Sequence, residues 1–229
     1  MNLRITKTNV IENEEQWRQY APPMDSKKQW KENRSAQSLA RFATDKNKVK
    51  VLEKVFKELG YSCRGEITCT PEANTPLPGK GNGRNHDLLM IGKDFVAGIE
   101  AKVTEPFGNT IQKELKGSSE NKKYRTDTLV KELFNCEIDE DIEDLRYQLL
   151  TGTMGTLFEA IRNNKSKALF LVIVFTDGIQ KPQDKNDLSS NNDDYSDFCK
   201  KLGLGKDGGT KHVLNIELTI KKIEVSLNK

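Results

Sequence analysis

Asp87, Glu100 and Lys102 have the chemistry of a site that holds a metal ion and activates a water molecule. Asp87 directly precedes an apolar run, Leu88 to Ile91, and the other two residues follow a second run, Phe95 to Ile99. A hard cation such as Mg²⁺ takes one or two carboxylates from a protein and keeps water in its remaining positions. The bound cation lowers the pKa of a water and stabilises charge on a phosphoryl oxygen, while a nearby lysine can steer that water. We therefore expect phosphodiester hydrolysis with Mg²⁺ or Mn²⁺ if the fold brings these side chains together.

The two apolar runs predict a β-hairpin that would do so. If Lys93 and Asp94 form a two-residue loop, Asp87 lies directly opposite Glu100, and Lys102 shares their face because strand side chains alternate. A slip of one residue would move Asp87 to the other face, and Lys-Asp is not a favoured two-residue turn, so a longer loop stays open. An ordinary salt-bridged strand end is the alternative interpretation. In the expected register the opposite face is wholly apolar and carries Leu88, Met90, Ala97, Ile99, Ala101 and Val103.

The elements before the hairpin are a helix, a strand and a loop. Val49, Leu52, Phe56 and Leu59 recur at helical spacing, and Gly60 marks the end of the predicted helix. Earlier, Ser35 is expected to cap a short helix and Asp45 to cap the helix at 49–59. A strand is expected over about 61–70, followed by an irregular loop at 71–85 that is rich in proline, glycine and asparagine.

The elements after the hairpin complete an α/β pattern. A helix is expected over about 142–162, and the apolar run at 167–175 predicts a strand that is covered on both faces. A long polar loop at 180–197, a short helix near 195–202 and one or two terminal strands follow. This order predicts a single-domain α/β sandwich with a mixed sheet, in which a helical extension at 1–44 precedes a core at 45–229.

Asp87, followed by a hairpin into Glu100-Ala101-Lys102, resembles the PD-(D/E)xK motif of the restriction-endonuclease-like nucleases. The order of elements is also similar, and the resemblance to a bacterial branch of that superfamily covers about Trp30 to Phe198. It implies a restriction-endonuclease-like α/β/α sandwich with a mixed central sheet, in which Asp87 and Glu100 bind Mg²⁺ or Mn²⁺. Lys102 would position or activate the attacking water. The segments that carry the wider resemblance are "QWKENRSAQSLARFAT", "EAKVTEPFG" and "LRYQLLTGTMGTLFEA".

The resemblance points to two further residues. The family often adds a glutamate from the helix before the sheet, which would be Glu53, although an ordinary solvated glutamate is the alternative. Some branches place a glutamine on the helix after the hairpin, which would be Gln148, with a surface amide as the alternative. His86 stands where the motif has a proline.

The charge distribution permits a nucleic-acid partner without requiring one. The 229 residues carry a net charge of +3, from 37 basic against 34 acidic side chains. Clustered basic residues after the hairpin favour contact with DNA phosphates. The glycine-rich stretch at 79–83 is not expected to be a phosphate-binding P-loop, because a strand rather than a helix should follow it. The basic cluster consists of Lys113, Lys116, Lys122, Lys123, Arg125 and Lys131.

The expected protein is therefore a cytoplasmic, DNA-binding nuclease without a membrane-spanning segment, and a homodimer would suit double-strand cleavage. The four cysteines are scattered and are expected to be free thiols. A catalytically silent relative that binds nucleic acid or protein is the main alternative, because fold does not fix function. An α/β enzyme that acts on a small phosphorylated substrate is a third possibility.

Overall fold

The computed structural model describes residues 1–23, 25–32, 34–177, 179 and 182–228, and within them seven strands form one mixed sheet. The strands are β1 (Asn2–Ile5), β2 (Glu66–Thr75), β3 (Arg84–Ile91), β4 (Phe95–Lys102), β5 (Lys167–Phe175), β6 (Gly208–Val213) and β7 (Ile216–Val225). The helices are α1 (Glu14–Tyr20), α2 (Ser26–Gln29), α3 (Ser35–Thr44), α4 (Lys50–Glu58), α5 (Ile111–Leu115), α6 (Glu120–Phe134), α7 (Glu140–Glu143), α8 (Tyr147–Arg162) and α9 (Pro182–Lys201).

The sheet order is β1-β2-β3-β4-β5-β7-β6. The middle of the chain makes the antiparallel meander β2-β3-β4, and the crossover through α8 then adds β5 parallel to β4. β7 lies parallel to β5, and β6 pairs with β7 in an antiparallel hairpin. β1 runs parallel to β2 at the other edge.

Helices cover both faces of the sheet, which confirms the expected α/β sandwich with a mixed sheet. One apolar core joins α1, α3 and α4 to one face, and a second joins α6, α8 and α9 to the other. β5 supplies alternate residues to both cores: Phe170 and Val172 face the second, while Leu169 and Leu171 face the first. The continuous apolar run of β5 therefore correctly predicted a strand that is buried on both faces.

The predicted register of the hairpin is confirmed. Leu88 pairs with Ile99 and Ile91 pairs with Val96, and the backbone N–H of Gly92 donates to the Phe95 carbonyl at 3.0 Å across a two-residue loop. The face expected to be wholly apolar lies in the core beneath α3 and α4.

Small residues let α8 pack tightly against the sheet. A methyl group at Gly152 would lie 2.5 Å from the Phe170 ring, and one at Gly155 would lie 2.9 Å from His86 Nε2. These two glycines, which weaken a helix in isolation, are therefore used for close approach.

The first strand of the meander differs from its prediction. β2 begins at Glu66 and continues to Thr75, so much of the segment expected to be an irregular loop is paired with β3. Pro71 argued against a strand, but β1 ends opposite Cys69, so no neighbouring strand needs an N–H from Pro71 on that side.

Tertiary packing also overrode local polarity elsewhere. The predicted polar loop at 180–197 lies mostly in α9, with residues 180 and 181 outside the described residues. The short helix predicted near 195–202 is the last part of α9, whose buried side chains include Asn191, Tyr195 and Phe198. The segment that carries the basic cluster after the hairpin contains α5 and α6, two helices that were not predicted from the sequence. The segment 1–44, predicted to be a helical extension with one short helix after Ser35, contains α1, α2 and α3 and also the edge strand β1.

Neither of the two predicted helix caps occupies the N-cap position of its helix. α3 begins at Ser35 itself, with Arg34 in the capping position and no side-chain cap. Asp45 accepts a hydrogen bond from the backbone N–H of Asn47 at 2.8 Å in the turn that leads into α4, but the N-cap of α4 itself is Val49, which provides no side-chain cap.

Candidate functional site

The candidate site lies where β3 and β4 stop pairing. The last residue pair of the ladder is Leu88 with Ile99. Beyond this pair, the backbone N–H of Ala101 donates a hydrogen bond to Oδ2 of Asp87 at 2.7 Å. The carboxylate of Asp87 thus replaces a strand contact and is held beside the part of β4 that carries Glu100 and Lys102.

Glu100 is only 3% exposed, and both of its carboxylate oxygens are engaged. Its Oε1 lies 2.8 Å from Lys102 Nζ, and its Oε2 accepts a hydrogen bond from Arg84 Nη2. Burial by itself raises the pKa of Glu100, but the positive charges of Arg84 and Lys102 outweigh that effect and leave the pKa below its usual range.

Lys102 is held from three sides. Besides Glu100, its ammonium donates to Gln148 Oε1 at 3.1 Å and lies 5.3 Å from the centre of the Phe107 ring. Gln148 stands in the first turn of α8, so this helix fixes the far side of the lysine. The structure therefore brings Asp87, Glu100, Lys102 and Gln148 together.

Asp87 is in a less favourable electrostatic environment than Glu100. Burial and the nearby negative charge of Glu100 raise the pKa of Asp87 well above its usual value, against the lowering effects of Lys102, the Ala101 N–H and Arg84. Two carboxylates confined in this way repel each other, and a divalent cation would relieve that repulsion.

Glu72 is a carboxylate of this site that the sequence reading missed. It lies on β2 in the ladder position opposite Asp87, and burial together with the charges of Asp87 and Glu100 raises its pKa to about 8. Its segment had been interpreted as loop, so no strand partner for Asp87 was expected there.

Arg84 was missed for the same reason. It is the first residue of β3, was expected in the same loop, and lies with 12% of its side chain exposed against the carboxylate of Glu100. A basic residue three positions before Asp87 gives no sequence signal of its own, because the contact depends on where β3 begins.

Glu53 does not join the cluster. Its carboxylate pairs with the N-terminal ammonium of Met1 at 3.0 Å and with Lys57 at 2.7 Å along α4. The second of these pairs joins residues four apart on α4, a contact that ordinary helix-surface glutamates make, and this agrees with the alternative interpretation of Glu53.

His86, which stands in place of the motif's proline, is a buried packing residue. Its ring fits the space left by Gly98 on β4 and Gly155 on α8. Burial, and then the charge of Arg84, lower its pKa to about 3, so the imidazole is neutral at physiological pH. Neither ring nitrogen has a hydrogen-bond partner in the described part of the chain.

A cavity of about 430 Å³ opens onto these groups. At its rim, Glu105 accepts hydrogen bonds from the backbone N–H groups of Val103 at 2.7 Å and Ser35 at 3.2 Å, which ties the start of α3 to the end of β4. The ionisable and amide residues that line the cavity are Gln29, Arg34, Glu72, Arg84, Asn85, Asp87, Glu100, Lys102, Glu105 and Gln148.

The donor set suits a cation that keeps its water. Among the described residues, no group of three or more histidine, cysteine, aspartate or glutamate side chains is arranged to hold a metal ion directly. Two carboxylates, Asp87 and Glu100, in a polar cavity are the pattern that Mg²⁺ accepts, because it completes its octahedron with water. The carboxylate chemistry therefore fits Mg²⁺ or Mn²⁺.

A second cavity, of about 440 Å³, lies between α7 and α9 and contains none of these residues. Three of its four aspartates pair with its three basic residues: Arg146 with Asp194 at 2.8 Å, Lys201 with Asp141 at 3.1 Å and Lys200 with Asp197 at 3.0 Å.

Several of the basic residues after the hairpin are engaged within the protein. Arg125 holds the glycine-rich loop, donating to the Pro78, Lys80 and Asn82 carbonyls at 2.8–2.9 Å, and Lys122 pairs with Glu114. The loop is thus fixed to α6, and β3 follows it as predicted.

Lys113 and Lys116 instead have exposed side chains on and just after α5. That helix begins beside α8, because Thr110 bridges to Arg146, two residues before Gln148. These two lysines therefore remain candidates for phosphate contact.

Over residues 10–227 the chain matches the family described as DUF6946, a domain of unknown function. The chain belongs to the DUF6946 family. No curated protein and no solved structure matches this DUF6946 chain. Of the described helices, none has the length and apolar character needed to cross a membrane. All four cysteines of the DUF6946 chain are free, as expected.

Proposed function

We propose that this DUF6946 protein is a Mg²⁺-dependent nuclease with a restriction-endonuclease-like core, which hydrolyses phosphodiester bonds in DNA. The observation that carries the proposal is the contact of Lys102 Nζ with Glu100 at 2.8 Å and with Gln148 at 3.1 Å, in the cavity that Asp87 also lines. An ammonium between a carboxylate and an amide, beside a second carboxylate, is suited to orienting a water for attack on a phosphate.

In this proposal the acidic and the basic residues of the cavity have different roles. Asp87 and Glu100 would hold the cation, which when bound supplies a water of lowered pKa and stabilises negative charge on the phosphoryl oxygens. Lys102 orients the attacking water and offsets the charge that develops in the transition state. Arg84 adds a second positive charge to the same cavity, which favours an anionic substrate.

The assignment is tested by cleavage of supercoiled and linear DNA, and of RNA, with Mg²⁺ or Mn²⁺. We expect the wild type to cleave DNA and Lys102→Ala to lose at least about 100-fold in rate, the low end of the range for a missing general acid-base group. Asp87→Asn should be as defective, and EDTA should abolish cleavage. Equal cleavage by wild type and Lys102→Ala would contradict the assignment, as would failure of the wild type to cleave any of these substrates.

A catalytically silent protein that binds DNA or another protein is the second candidate. The observation in its favour is that both oxygens of Glu100 are already occupied, by Lys102 and Arg84. A salt bridge of this kind neutralises the carboxylate without any metal. Salt-dependent DNA binding that EDTA does not change, together with no cleavage, would favour this candidate over the first.

A further inference from the structure

Glu72 is a carboxylate in the cavity that the proposed mechanism does not use. Within the described part of the chain its side chain makes no hydrogen bond or ion pair. Three basic residues line the same cavity, but Arg84 and Lys102 are engaged by Glu100, and Arg34 lies 3.8 Å from Glu105. A partly buried carboxylate without a partner is costly, so its position needs a cause.

The backbone turns Glu72 into the cavity. Its φ is +47°, in the left-handed region that is unusual for a residue with a side chain. Side-chain alternation on β2 breaks here: Cys69 faces the core beneath α4, whereas Ala73, four residues on, faces the opposite core. Residues four apart on a regular strand share a face.

The neighbouring strand breaks at the same level. On β3, Leu89 lies in the core with α8, and His86, three residues earlier, also contacts α8 through Gly155. Pairs on either side are intact, Pro71 with Leu88 and Ala73 with His86, but the ladder skips Glu72 and Asp87. Both carboxylates therefore leave the regular sheet together, and both line the cavity.

Lys7 holds the turned segment in place. Its ammonium donates to the Pro71 carbonyl at 2.9 Å and also to the Glu72 carbonyl. These contacts fix the backbone of the segment but do not involve the Glu72 carboxylate. The carboxylate oxygens of Glu72 therefore face the cavity as hydrogen-bond acceptors without a donor in the described part of the chain.

We propose that Glu72 is a positioning residue of the cation site, which accepts hydrogen bonds from the water molecules of a Mg²⁺ held by Asp87 and Glu100. This inference rests on the proposed function. Contact with the cation through its water molecules, and not directly, agrees with the absence of a preformed three-residue metal group among the described residues. It also agrees with the preference of Mg²⁺ for keeping several waters, whose hydrogen atoms need acceptors.

The test is Mg²⁺ and Mn²⁺ binding by calorimetry to wild type, Glu72→Gln, Glu72→Asp and Asp87→Asn, with unfolding followed in EDTA for each. We expect Glu72→Gln to bind Mg²⁺ about 10- to 100-fold more weakly, the usual effect of losing an outer partner, and Glu72→Asp to recover part of the affinity. Asp87→Asn should show no measurable binding. Because a structural role would not depend on the metal, unfolding in EDTA should show Glu72→Gln to be no less stable than the wild type.

Glu105→Gln is the matched control. Glu105 lines the same cavity, but its oxygens already accept from Ser35 and Val103, so this variant should bind Mg²⁺ like the wild type. Wild-type affinity in Glu72→Gln, with binding lost in Asp87→Asn, would overturn the role of Glu72 and leave the proposed cation site intact. No binding of Mg²⁺ or Mn²⁺ to the wild type would overturn both.

Discussion

Lys102 Nζ lies 2.8 Å from Glu100 Oε1, two residues back along the same strand. The pair shares a face of β4 because strand side chains alternate, and both side chains are almost fully buried. A buried ammonium and carboxylate in contact hold each other in one geometry, and Gln148 then fixes the lysine from α8.

Replacing Gln148 should impair catalysis more than folding. Gln148→Ala removes the acceptor that orients Lys102, so we expect kcat to fall about 10- to 100-fold, the scale of losing a group that orients a catalytic one. Steady-state cleavage kinetics and urea unfolding measure the two effects. Unchanged kcat in Gln148→Ala would contradict a role in positioning Lys102.

Glu53→Gln should leave Mg²⁺ affinity and DNA cleavage at wild-type levels. The Glu53 carboxylate is occupied by Met1 and Lys57 on α4 and does not line the cavity. Calorimetry and a cleavage assay check this, with Asp87→Asn as the impaired reference. A loss of Mg²⁺ binding in Glu53→Gln would show that α4 reaches the site in solution.

The stability of the metal-free protein should fall as pH rises, in part through Glu72. Burial and the charges of Asp87 and Glu100 raise the pKa of Glu72 from 4.5 to about 8, so between these values the folded state keeps a proton that the unfolded state has released. The unfolded state then binds fewer protons, and the free energy of unfolding decreases with increasing pH.

The measurement is urea unfolding in EDTA at several pH values across that range. Glu72→Gln should show a shallower decline than the wild type, with the remaining slope due in part to Asp87, and Mg²⁺ should restore stability at the alkaline end. A wild type and a Glu72→Gln variant with parallel pH profiles would contradict the raised pKa.

Gly98→Ala should destabilise the protein by about 1–3 kcal/mol, the range for overpacking a core. A methyl group there would overlap Thr156 Oγ1 on α8 and lie 2.8 Å from the His86 ring, so α8 or β3 would have to move. Gly205→Ala is the control, because its nearest neighbour would be 3.6 Å away. Urea unfolding that gives equal stabilities for both variants would contradict the tight packing at His86.

Lys113→Ala combined with Lys116→Ala should weaken DNA binding to a similar extent for all sequences. Each lost phosphate contact should also reduce the slope of log affinity against log salt concentration by about 1. Lys54→Ala on α4 is the control, since Lys54 is also highly exposed but pairs with Glu58 along its own helix. Fluorescence anisotropy at several salt concentrations provides the measurement, and an unchanged slope in the double variant would place the phosphate contacts elsewhere.

The sequence pattern alone predicted an element correctly where the spacing of its apolar residues matched the face or faces that the fold buries. The apolar run at 167–175 predicted a strand covered on both faces, and the spacing of apolar residues from Val49 to Leu59 predicted α4. Both predictions were possible because each pattern depends only on residues that are close together in the sequence. The sequence pattern was insufficient for α9, whose serine, asparagine and aspartate residues disfavour a helix locally. Packing of Tyr195 and Phe198 into the core with α6 and α8 stabilises that helix instead.

The sequence by itself determined the hairpin and the shared face of Glu100 and Lys102, because side chains alternate along a strand. With a two-residue loop, it also predicted the register that buries the apolar face and brings Asp87 near Glu100. Only the tertiary structure decided that Glu72 and Arg84 complete the cavity and that Glu53 does not. Those outcomes depend on where β2 breaks its alternation, where β3 begins and what α4 contacts. Each is a relation between segments distant in sequence, which no local pattern encodes.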